Sequence, residues 1–318
     1  MDDPLIWVRT IHFASTLLVS GTVFFLIFIA EPSFRESFDH GATPAFVRRQ
    51  LRWLAFGGLL VLVFSGAGWL LLQTANMIEL PLGDEFSEAA LGMVLRRTGF
   101  GHDWIVRLGL VVLLIFPMLA LTWEKSTRPR WIGLVAVGVA AGLVGSLAWA
   151  GHAAATPGAE GTLHLAADII HLIAAAAWLG SLIPLALLLG AAIHKDSLVG
   201  QVATRRFSAL GIASVGALVA TGFINGWILV GTPTALVNSS YGRLLLVKLA
   251  LFLVMLSVAA VNRLVLTPDI LNPSSTSKGS RTMLGRLQRN ALIEATLGAI
   301  IVVIVGVLGT LPPAAVAQ

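Results

Sequence analysis

The chain has 318 residues, 57% of them hydrophobic and 12% charged, with a mean hydropathy of +0.88. A soluble domain of this size does not tolerate that composition, so the chain reads as an all-α, polytopic membrane protein whose surroundings are a lipid bilayer. The net charge of +5 is explained below by topology and not by nucleic-acid binding, and the lack of any Cys excludes disulfides, iron–sulfur clusters and thiolate metal sites.

Met1 to Pro4 carries two acids instead of a basic leader, and the apolar run after it is long enough to span; helix 1 is therefore expected to be a retained anchor. Eight apolar stretches could cross about 30 Å of hydrocarbon at about 1.5 Å per residue. They run from Leu5 to Ile29, Trp53 to Gln73, Trp104 to Trp123, Trp131 to Ala150, Leu163 to Leu189, Phe207 to Val230, Leu244 to Leu264 and Ala291 to Leu311. Trp and Phe at several ends fit interfacial anchors.

The links after helices 1, 3, 5 and 7 concentrate the basic residues: Arg35, Arg48 and Arg49; Lys125, Arg128 and Arg130; Lys195, Arg205 and Arg206; Lys278, Arg281, Arg286 and Arg289. The remaining links hold Arg96, Arg97 and Arg243. By the positive-inside rule, both termini face the periplasm. This places His12, His102, His152, His164 and His171 on or near the outer side, and His40 and His194 in cytoplasmic links without an assigned role. The outer link from Thr74 to Asp103 carries Glu79, Asp84, Glu85 and Glu88 and is expected to be a solvated connection, a small cap or an amphipathic surface helix being the alternative.

The most informative stretch runs from Gly151 to Gly190. His164, Asp168 and His171 stand at i, i+4 and i+7 in a segment otherwise almost wholly apolar, so a helix puts them on one stripe. An ionisable stripe in a membrane helix is a functional-site candidate. With His152 in the preceding link, three imidazoles and a carboxylate make a ligand set for a divalent transition metal. The bland alternative is that these groups only bond neighbouring helices together.

The chain also reads as two parallel four-helix units, residues 1–150 and 151–318. His12 and His171 are each followed nine residues later by glycine, Gly21 and Gly180. Ser65-Gly66 and Thr221-Gly222 precede Trp69 and Trp227, Val106-Arg107-Leu108 matches Val247-Lys248-Leu249, and Gly101 matches Gly242. Units with an even number of crossings enter from the same side, so the repeats would be related by an axis near the membrane normal. Arg107 and Lys248 either snorkel outward or face the bundle interior and set the charge of an outer cavity. Glu294 is expected within reach of Asn262 or Arg263, an arrangement read as a structural ion pair at the inner side, a proton or ion relay being the alternative.

These residues resemble the copper resistance protein D family of bacterial inner-membrane proteins. The resemblance rests on an ordered set: Gly151-His152, His171 with Trp178 and Gly180, Phe207-Ser208, Thr221-Gly222, Tyr241-Gly242, Lys248, Asn262-Arg263, Pro268, Glu294 and Pro312-Pro313. It implies a copper-handling protein of the inner membrane working beside a separate periplasmic copper-binding protein, the C protein of such systems. It carries the copper ion to His152, His164 and His171, and further to Asp168 and His12. A transporter or metal-binding membrane protein is expected in preference to an enzyme. The six methionines form no rich stretch that would mark a path for reduced copper. The alternative is a copper- or quinone-reductase-like redox protein holding haem b between His12 and His171, with Arg107 and Lys248 at the propionates.

Overall fold

The computed structural model describes residues 3–37, 42–78, 87–122, 130–195, 197–271 and 277–315. These residues contain eight helices long and apolar enough to cross a membrane: α1 Pro4–Glu36, α2 Thr43–Ile78, α3 Gly99–Leu121, α4 Arg130–Ala150, α5 Gly158–Ile193, α6 Leu198–Val230, α7 Ser240–Asp269 and α8 Gly279–Leu308. Among the described residues there is no strand.

Helices α2, α6 and α8 begin well before the expected apolar starts at Trp53, Phe207 and Ala291. Hydropathy marks where lipid begins, not where backbone hydrogen bonding stops, and these helices run on through Arg48, Arg205 and Arg286. At that end the arginines tie helices together. Arg48 donates twice to the Glu31 carboxylate, at 2.6 and 3.0 Å, and Glu36 is paired with both Arg205 and Arg206.

Helices α1 and α5 form the centre. In their most apolar stretches 72% and 67% of residues are buried, against 6% for α7 at the periphery. The two cross through Gly21 and Gly180, where a Cβ at Gly180 would lie 2.1 Å from the Leu17 carbonyl oxygen and one at Gly21 would lie 2.3 Å from the Gly180 carbonyl carbon. Small residues allow such approach in lipid, where packing takes over from the hydrophobic effect. Ser181 closes the crossing by donating to the Gly21 carbonyl at 3.0 Å, and α5 tightens into a 3-10 turn over Leu179–Ser181.

Both ends of the described chain lie at one end of the bundle, here the terminal end, where Arg9 Nη1 donates to the Gly309 carbonyl at 2.9 Å. Two short helices occur there. Glu88–Arg97 is capped by Ser87, whose hydroxyl accepts from Ala90 N at 3.2 Å, and Pro233–Asn238 by Thr232, which accepts from Ala235 N at 3.3 Å. Each packs backbone to backbone on a glycine of the next helix: a Cβ at Gly101 would meet the Val94 oxygen at 2.1 Å, and one at Gly242 the Leu236 oxygen at 2.3 Å. The link from Thr74 to Asp103 is thus more than a solvated connection where it is described: it holds a helix, and Ala90 and Val94 on it are buried. Glu79, Asp84 and Glu85 lie outside the described residues, as does His40.

Candidate functional site

His12 is buried in α1 and faces α2. Its Nδ1 is 3.2 Å from the Leu62 carbonyl oxygen and 3.3 Å from Ser65 Oγ. A carbonyl only accepts, and the Ser65 hydroxyl is itself donated to Leu62 O at 3.1 Å, so Nδ1 carries the proton. Nε2 is left with a bare lone pair, buried and without a hydrogen-bond partner among the described residues. Gly66 leaves room for the ring; a Cβ there would stand 3.2 Å from the imidazole Cε1.

His171 repeats this setting against α6. Its Nδ1 lies 2.9 Å from Thr221 Oγ1, whose own hydrogen goes to the Ala217 carbonyl at 2.6 Å, and the Leu218 backbone is a further contact. Here too Nδ1 is the donor and Nε2 the acceptor. Gly222 stands beside the ring as Gly66 does beside His12.

The space around the two rings is filled differently. Beside His12 stands Trp69, 2% exposed, with Phe13 and Phe100 edge-on to its ring. The guanidiniums of Arg9 and Arg107 lie 5.5 and 5.3 Å from the Trp69 centroid, within cation–π range. Arg107 is paired with Asp103 one turn earlier and donates to Ser146 Oγ and to the Ser146 carbonyl, each at 3.1 Å. Trp104 Nε1 donates to the Gly66 carbonyl at 3.1 Å and joins α3 to α2. Arg107 therefore faces the bundle interior and does not snorkel.

Counted from Gly222, the place of Trp69 falls to Asn225 and not to Trp227; counted from the histidines, Arg9 is replaced by Asp168. Asn225 Nδ2 donates to Asp168 Oδ1 at 3.2 Å. Lys248, at the level of Arg107, is within electrostatic range of Asp168 but has no hydrogen bond or ion pair among the described residues. It lines a cavity of about 650 Å³ between α6 and α7, floored by α5 and α8. The other walls are almost wholly apolar, save for the edge of His171. Phe223, Trp227 and Leu253, exposed at 71%, 68% and 61%, line it too, so it opens on the lipid-facing side of the bundle.

The remaining candidate ligands are not gathered around these rings. His164 Nδ1 is 2.9 Å from Thr156 Oγ1, and His152 Nε2 is 3.3 Å from the Leu308 carbonyl, its ring edge-on to Tyr241. Among the described residues, no group of three or more His, Cys, Asp or Glu stands close enough to hold a metal ion. The stripe at i, i+4 and i+7 is present on α5, but each side chain is tied to a different neighbour. His12 and His171 each face their own set of helices, so no ring contact supports a haem held between them. His102 is exposed, and nothing is described of the His194 side chain. At the distal end Glu294 accepts from Asn262 Nδ2 at 2.7 Å while Arg263 donates to Ser208, so the pairing is to the amide and not to the arginine.

Arg9, Asp103, Ser146 and Asn225 belong to these settings and were not singled out from the sequence, and Tyr241 was named there only within the family resemblance. Two had a usable signal. Arg9 stands three residues before His12 as Asp168 does before His171, and Asp103 stands four before Arg107, the spacing of a helical ion pair. Ser146 had none, because it arrives from α4 by tertiary packing.

Eight membrane-length helices with ionisable side chains buried among them define a multi-pass membrane protein with polar sites in its interior. The family model described as Copper resistance protein D-like, N-terminal domain matches residues 1–162, and that of Copper resistance protein D matches residues 201–308. The chain is 30% identical to Copper resistance protein D of Pseudomonas syringae pv. tomato over 98% of each protein. It is 28% identical to Inner membrane protein YebZ of Escherichia coli (strain K12), over 96% of this chain and 97% of that one. Copper transport protein CutJ of Bacillus subtilis (strain 168) is 27% identical over 96% of this chain and 52% of its own length. No solved structure matches the chain. The chain belongs to the copper resistance protein D family and is a multi-pass protein of the bacterial inner membrane.

Proposed function

We propose that this protein handles copper at the inner membrane and takes it from the periplasm toward the cytoplasm. In this reading both termini are periplasmic, the halves 1–150 and 151–318 are parallel repeats, and a separate periplasmic copper-binding protein delivers the ion. Relatives named for copper resistance and copper transport support the metal. The observation that carries the reading is the state of the two intramembrane imidazoles. A metal-binding histidine holds one ring nitrogen in a hydrogen bond so that the other presents its lone pair. His12 and His171 are both held this way, by Leu62 with Ser65 and by Thr221. His152 and His164, nearer the terminal end, would meet the ion first, with Asp168 supplying negative charge on the way.

The test is cell-associated copper, measured by mass spectrometry in cells producing each variant at matched membrane levels. His12→Ala and His171→Ala should each remove the protein-dependent accumulation, and Thr221→Val should lower copper affinity about tenfold by releasing the His171 tautomer. His102→Ala should leave accumulation as it was. Wild-type accumulation in both His12→Ala and His171→Ala would refute the reading.

A further inference from the structure

The cavity between α6 and α7 has a polar pair that the copper reading does not use as a pair. We propose that it is a binding site, entered from the lipid, for a membrane-soluble quinol, with Lys248 and His171 holding the ring oxygens. The assignment does not depend on copper being the cargo.

The chemistry of the pair selects the ligand. The Lys248 ammonium only donates. His171, with its proton on Nδ1 and turned to Thr221, offers only the lone pair of Nε2. Neither group has a hydrogen-bond partner at these atoms among the described residues. The complement is a head group with one oxygen that accepts and one hydroxyl that donates. A quinol meets both demands, whereas a quinone satisfies Lys248 alone.

Depth excludes the common lipids. Lys248 stands eight residues after Ser240, about 12 Å along α7 at about 1.5 Å per residue. A phosphate drawn to that depth would lose its hydration, and an ion in hydrocarbon is costly. A neutral ring is not penalised in this way. Volume and lining agree: a site of about 650 Å³ with apolar and aromatic walls and two convergent polar groups suits one small amphiphile. Phe223 and Trp227, stacked at 6.3 Å and 29°, line the mouth and offer ring faces to an aromatic head. Beside His12, by contrast, Trp69 packs against the ring and Trp104 Nε1 is bonded to the Gly66 carbonyl.

The full chain in nanodiscs of quinone-free phospholipid, titrated calorimetrically with decylubiquinol and with decylubiquinone against empty nanodiscs, tests this. The quinol should bind saturably at one per chain and more tightly than the quinone. Lys248→Met should weaken quinol binding about tenfold, the loss of one hydrogen bond to a charged donor. Gly226→Leu should abolish binding, because a Cβ at Gly226 meets nothing within 4 Å and a larger side chain extends into the cavity. Circular dichroism checks that both variants keep their helices, and Lys248→Met decides the matter if Gly226→Leu does not fold. The proposal is overturned if wild-type protein shows no saturable binding, if Lys248→Met binds quinol as wild type does, or if the purified protein carries a porphyrin absorption band lost in Lys248→Met. Copper accumulation lost only in His12→Ala and His171→Ala, beside absent quinol binding, would overturn this site and leave the copper reading standing.

Discussion

The four N-terminal and the four C-terminal helices each hold a histidine in the same setting, and then complete its surroundings with opposite materials. On one side Gly66 is followed three residues later by Trp69, and Gly101 by Trp104; on the other, Gly222 is followed by Asn225 and Gly242 by Leu245. Trp69 packs edge-on to the first ring, whereas the second ring stands at the edge of a cavity of about 650 Å³ that opens toward lipid. The charges are exchanged as well. Arg9 and Arg107 flank an aromatic ring in the first, while Asp168 and Lys248 lie within electrostatic range of each other in the second. Like histidine settings are thus completed once by a buried indole with an Arg107–Asp103 pair and once beside an accessible cavity.

The sharpest way to break this contrast is to empty the closed site. Trp69→Ala should cost about 3–5 kcal/mol, the usual range for a large buried aromatic, whereas Asn225→Ala in the open site should cost about 1 kcal/mol, a single hydrogen bond. Unfolding titrations in mixed detergent micelles compare the two. The cations should differ next. Arg107→Met strands Asp103 and should destabilise by about 3–5 kcal/mol, while Lys248→Met, with no bonded partner to strand, should stay within about 1 kcal/mol on the same assay. At the shared crossing, Gly180→Ala presses a methyl group on the Leu17 carbonyl and should cost about 1–3 kcal/mol, read as a fall in the midpoint of thermal aggregation. Gly226→Ala, facing open space, should move that midpoint least, within about 0.5 kcal/mol. Equal losses for Trp69→Ala and Asn225→Ala would mean that the two sites are packed alike.

Much of the frame was legible. Eight apolar runs gave eight helices because a spanning backbone must satisfy its hydrogen bonds internally. His12, His171, Arg107 and Lys248 stood out because ionisable groups are rare in such runs. Their company was harder to read. The Trp227 match to Trp69 is two residues out of register, and that the glycines set the register shows only once Gly66 and Gly222 are seen to face the two rings. The stripe His164, Asp168 and His171 was correctly placed on one helix, yet a stripe does not say that its members share a ligand: Thr156, Asn225 and Thr221 take them separately.

Sequence alone determined the helix count, the absence of thiolate chemistry, and the charges that had to find partners or a purpose in a lipid environment. The helix period and the cost of bare polar groups in hydrocarbon are local quantities, and they can be read one segment at a time. Tertiary structure alone decided that Arg107 meets Ser146 from α4, that Gly21 meets Gly180, and that one of two like sites stays open. Those outcomes depend on which helices lie side by side and on how their side-chain volumes sum across the gap, and no single segment carries that information.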